Sequence, residues 1–120
     1  MGVDSVKLSG FAAGDTLRLI REVVDRGVRG RVASRYYYAG TQLRYYESEG
    51  DVVHVGADKS MTKRKVRLVL AFNEQSAAVE ATHTIDGQSA PLDTALTGAV
   101  TARATELARQ WAMERTTTPR

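Results

Sequence analysis

The stretch Lys65-Val66-Arg67-Leu68-Val69-Leu70-Ala71-Phe72 decides the fold class. Successive side chains of an extended chain point to opposite sides, so Val66, Leu68, Leu70 and Phe72 share one face, and Lys65, Arg67, Val69 and Ala71 the other. A period of two with one apolar face is the pattern of a half-buried strand. Asn73, Glu74, Gln75 and Ser76 follow as turn chemistry. Ala77 to Ile85 then alternates again, with Val79, Ala81, His83 and Ile85 on one face against Glu80, Thr82 and Thr84. Two strands around a short polar break predict an antiparallel hairpin.

Upstream, Arg31 to Tyr38 and Gln42 to Ser48 are rich in β-favouring residues and flank Ala39-Gly40-Thr41, which predicts another hairpin dominated by tyrosine. Glu49-Gly50-Asp51 reads as a break before a short strand Val52 to Val55, apolar on both faces except for His54 and so expected at the centre of the sheet. The opening residues Val3 to Leu8 fit an edge strand or an ordered arm. Leu17, Ile20, Val23 and Val24 lie between a capping Asp15 and Gly27, the signature of an amphipathic helix. Arg18 with Glu22, Arg21 with Asp25 and Glu22 with Arg26 stand at helical ion-pair spacing. Beyond Asp86-Gly87, a second helix runs from Pro91 to about Glu114, carrying Leu96, Val100, Ala104, Leu107 and Trp111 on one stripe.

The predicted fold class is therefore α+β: a mostly antiparallel sheet of four to six strands packed against an N-terminal helix and a long C-terminal helix. The chain has 120 residues, enough for one core, so residues 1–115 are expected to form one domain, with 116–120 as a flexible tail. In element order, a curved sheet wrapped on a long final helix resembles the helix-grip ligand binders, which implies a cavity between the two. Val52, Val69 and Ala71 oppose the main apolar faces of their strands, leaving apolar surface that one helical layer does not cover.

The sequence contains no cysteine, which removes disulfides, thiolate metal sites and cysteine nucleophiles and fits a reducing compartment. Residues 1–10 contain no apolar run of the signal-peptide kind, so a cytoplasmic location is expected. The histidines, His54 and His83, have no metal-ligand spacing, and the four carboxylates Glu47, Glu49, Asp51 and Asp58 do not match an EF-hand loop. Nucleophile elbows and phosphate-binding glycine loops are missing as well. No catalytic residue, metal or cofactor is assigned.

With chemistry so sparse, the leading expectation is a non-enzymatic binding or assembly domain, homo-oligomeric, that engages a protein partner or small ligand through its sheet or through a cavity under the C-terminal helix. For the cavity, the candidate lining is Tyr36, Tyr38, Tyr45, His83 and Trp111, large and partly polar side chains on elements that face one another. One alternative is a single-stranded nucleic-acid module. Its tyrosines would stack bases, and Arg35, Arg44, Lys63, Arg64, Lys65 and Arg67 would meet phosphates. The net charge of +3 permits that reading without requiring it. The other alternative is a small enzyme centred on His83 with a nearby carboxylate.

Overall fold

The computed structural model describes residues 5–14 and 16–117, the side chains as far as Glu114. Short connections force neighbouring strands to run antiparallel, and the result is a seven-stranded meander in sequential order. The strands are β1 (Ser5–Ala13), β2 (Thr16–Asp25), β3 (Gly30–Ala39), β4 (Gln42–Val55), β5 (Met61–Phe72), β6 (Ala78–Ile85) and β7 (Gln88–Ser89), followed by α1 (Thr94–Thr117). Turn chemistry fixes the registers. Asn73 Oδ1 accepts from the backbone N–H of Gln75 and Ala77 between β5 and β6. Asp86 and Gly87, both at positive φ, make the two-residue turn into β7.

The expected N-terminal helix is instead strand β2, and the sheet has seven strands where four to six were expected. The helix-like spacing has a specific cause. Phe11 pairs with Leu19 and Ala12 with Leu17, so Arg18 is an extra bulged residue. The bulge brings Leu17 and Ile20, three apart, onto the same buried face. Val23, on the opposite face, is buried laterally between Lys7 of β1 and Ala33 of β3. β-Branched residues at 20, 23 and 24 favour the strand, and two flanking strands supply hydrogen-bond partners that no local helix could outcompete. Glu22 faces inward rather than joining a helical ion-pair series. Asp15, the expected cap, lies outside the described residues.

Val52 to Val55 also departs from expectation: it is the exposed end of β4, not a separate central strand. Gly50 is no break. A Cβ there would collide with the Arg31 carbonyl and the Val32 backbone, so glycine is what lets β3 and β4 approach closely.

One core cluster lies between sheet and helix. Asp93 caps α1, its Oδ1 accepting from the Ala95 N–H. Val100, Ala104 and Leu107 form the buried stripe, flanked by Leu96, Ala108 and Trp111. They pack on Leu17, Ile20, Tyr36, Tyr38, Leu43, Tyr46, Leu68, Leu70 and Phe72. The start of α1 adjoins Phe72 and Ala81 of β5 and β6, whereas its far end adjoins Gly10 and Ile20 of β1 and β2. The helix therefore crosses the strands. From residue 94 to 111 it rises about 26 Å at about 1.5 Å per residue, which matches the roughly 24 Å spanned by six strands spaced about 4.8 Å apart. No other helix of comparable length occurs among the described residues, so the opposite face of the sheet stays open. No helix among them is long and apolar enough to cross a membrane.

Candidate binding surfaces of the sheet

The pleat sends Tyr36, Tyr38 and Tyr46 toward the helix and Tyr37 and Tyr45 to the open side, so the tyrosine-rich hairpin is split between two environments. On the helix side the hydroxyls are all engaged. Tyr38 donates to the Ala104 carbonyl at 2.7 Å, tying β3 to α1. Tyr36 donates to Glu22 Oε1 at 3.1 Å, while Arg103 of α1 donates to Glu22 Oε2 through Nη2 at 2.7 Å and Nε at 3.1 Å. Ser34 Oγ and the Tyr46 hydroxyl lie 3.3 Å apart. Burial pushes the phenols of Tyr36 and Tyr38 well above the usual tyrosine range, and for Tyr36 the neighbouring Tyr46 and the Glu22 carboxylate add to it. The hydrogen bond from Arg103 to Glu22 holds the guanidinium further in its charged form.

Of the five cavity candidates, Tyr36 and Tyr38 are core residues, and Trp111, partly buried, packs against the same core at its β1 end. His83 sits on the helix face of β6 beside Leu68, where its Nδ1–H donates to the Pro91 carbonyl at 2.8 Å and fastens the segment that leads into α1. Tyr45 lies on the other face of the sheet. The structure thus groups Tyr36, Tyr38 and Trp111 around one core and places His83 and Tyr45 apart from them. The interface between sheet and helix is filled, with Leu70, Ala104 and Leu107 at 0–2% exposure. Three hollows flank it: one of about 440 Å³ between Phe72, Ala81 and the first turns of α1, one of about 330 Å³ beside Leu17, Thr41 and Trp111, and one of about 100 Å³ beside Leu8, Gly10 and Leu107.

The open face is organised in rows across the strands. One row is apolar and aromatic: Phe11, Leu19, Tyr37, Tyr45, Ala71 and, at its end, Glu80. Within it the Tyr37 and Tyr45 rings meet edge to face, with centroids 5.6 Å apart. The next rows are Ser9, Arg21, Arg35, Glu47, Val69, Thr82, and Lys7, Val23, Ala33, Glu49, Arg67, Thr84. Small Ala33 leaves the floor of a shallow hollow of about 350 Å³, rimmed by Arg35, Glu47, Glu49, Asp51, Lys65 and Arg67. Val69 and Ala71 are therefore open-face residues as expected, while the parity of β4 sends Val52 to the helix side.

The basic candidates do not form one surface. Arg35, Lys63, Lys65 and Arg67 share the open face, Arg64 falls on the helix side opposite Val52, and Arg44 occupies the β4 bulge with its Nε donating to the Phe72 carbonyl at 3.3 Å. Carboxylates stand beside most of them: Arg35 with Glu47 at 3.1 Å, Lys63 with Asp51 at 3.7 Å, Arg64 with Asp86 at 3.1 Å and Arg67 with Glu49 at 3.9 Å. Asp86 also accepts the Lys65 backbone N–H, and that bond with Arg64 holds its carboxyl below the usual carboxylate range. Glu47, Glu49 and Asp51 on β4 and Lys63, Lys65 and Arg67 on β5 thus lie on the two strands of one hairpin. The Glu22–Arg103 pair was not legible, because its partners stand 81 positions apart. The row from Phe11 to Ala71 needed strand registers for its detection. No family model matches the chain, and no curated protein or solved structure matches it.

Proposed function

We propose that this chain is a non-enzymatic binding and assembly domain that associates with copies of itself and engages a protein partner through the open face of its sheet. One observation carries the reading: a single helix covers one face, and the other presents an apolar, aromatic row from Phe11 to Ala71 bordered by paired charges. Aromatic residues beside arginine, within a polar rim, are the composition of protein interfaces. The filled centre under α1 favours the sheet surface over a small-molecule cavity there, the hollows lying at its margins. Cross-strand carboxylates favour a protein over nucleic acid, since a phosphate would have to displace them from Arg35, Lys63 and Arg67. His83, held by the Pro91 carbonyl, suits a structural role better than that of a general base.

Native mass spectrometry of the protein taken directly from its host, alongside a folded Tyr45→Arg variant, tests the proposal. The expected spectrum contains a partner mass, other than a multiple of the 13.1 kDa chain, that Tyr45→Arg loses. Retention of that mass by the variant, or a small-molecule adduct in its place, overturns the open-face reading. Oligonucleotide binding with a steep salt dependence would move the assignment to nucleic acid.

A further inference from the structure

Strand β1 forms one edge of the sheet, and it is exposed along all nine residues from Ser5 to Ala13. Natural sheets usually protect such an edge with proline, several charges or a bulge. β1 contains no proline and one charged residue, Lys7, and the bulge of this hairpin lies in β2 at Arg18, so β1 itself stays regular. The opposite edge, β7, is two residues long. Apolar side chains end abruptly at β1 on both faces: Val6 and Leu8 on the helix side and Phe11 on the open side, each about half exposed.

We infer that β1 is a self-pairing edge: two copies join antiparallel, strand against strand, about a two-fold axis at Ser9, and merge their sheets into one. The inference rests on the assembly half of the proposed function and specifies its interface. A second copy is the occupant because β1 is its own complement. Ser9 is the midpoint of Ser5–Ala13, so this register pairs the full strand, and it sets residues of like parity opposite one another. Lys7 then lies beside the partner's Phe11, its stem covering the ring, and Val6 lies beside the partner's Ala12. Leu8 meets the partner's Gly10, the position over which the Trp111 indole lies so closely that a Cβ would be 3.0 Å from Cδ1. Centring the axis on Lys7 would instead set two ammonium groups against each other and leave the end of the strand unpaired. The two-fold pairing satisfies the unpaired backbone of each edge and continues the apolar row of the open face across both copies.

A cysteine-free chain gives a clean test. Sedimentation equilibrium of the wild type should report twice the 13.1 kDa chain mass. Under mild oxidation Ser9→Cys should form an intermolecular disulfide in high yield, and Ser5→Cys should not, because its two copies would stand about 27 Å apart at about 3.4 Å per residue. Leu8→Lys, with unchanged circular dichroism, should lower the mass to that of one chain. A dimer in which Ser9→Cys fails to cross-link, or in which Ser5→Cys links equally well, overturns the β1 pairing but leaves assembly standing. A monomer at every concentration removes self-association altogether, while partner capture by the open face, read through Tyr45→Arg, is judged separately.

Discussion

Glu22 is the one buried charged residue among those described. Its carboxylate is buried on a strand, and it joins β2 to β3 through Tyr36 and to α1 through Arg103. Removing Arg103 leaves an acceptor desolvated and short of donors, which costs about 1–3 kcal/mol. Arg103→Ala should lower the urea-derived stability by that amount and Arg109→Ala by much less; equal small losses would disprove the role given to the pair. The buried phenols make a second prediction. Because the folded protein raises the pKa of Tyr36 and Tyr38 above the unfolded value of about 10, their contribution to stability is complete below that pH and is lost as pH rises beyond it. Alkaline titration of native protein should therefore give the same phenolate absorbance in wild type and Tyr38→Phe near pH 10. A deficit in the variant while both remain folded would show that Tyr38 titrates normally. Burial of particular tyrosines was legible only as alternation; the identity of their partners was not, since Glu22 and Arg103 come from distant segments.

At the level of elements, β5 and α1 were readable because each carries an uninterrupted period, two for the strand and near 3.6 for Val100, Ala104, Leu107 and Trp111, whereas β6 keeps its alternation only from Glu80 to Ile85, Val79 being a bulged and exposed residue. β2 was not. The bulged Arg18 gives Leu17 and Ile20 a three-residue spacing, and lateral burial of Val23 between its neighbours completes an imitation of a helical stripe. Gly50 misled in the opposite direction, reading as an interruption where it permits continuity. Gly50→Ala should force β3 and β4 apart at Arg31 and destabilise the protein strongly, well beyond the cost of an ordinary exposed strand substitution. An alanine variant with wild-type thermal stability would contradict the close approach. Glu80→Ala, on the open face of β6, is the comparison and should remain near neutral.

The whole molecule is a flat slab, 55 × 36 × 19 Å, with a radius of gyration of 16.0 Å. A compact chain of this length would have a radius of about 14 Å, so the excess reflects two layers where a second helix would have made three. Amide exchange should follow that geometry: slowest in β4 and β5, which pair on both sides under the core, and fastest in β7. Uniform protection across all strands would be inconsistent with this arrangement. Alternation, turn residues and composition are local properties, and they suffice for the α+β class, the antiparallel hairpins, the long C-terminal helix and the lack of cysteine. That the segment from Thr16 to Asp25 is a strand, that one face of the sheet is open and that β1 is its edge among the described residues came from contacts between distant segments. Those outcomes depend on which strands flank a segment and on what covers each face, and both are fixed by contacts between residues far apart in the chain.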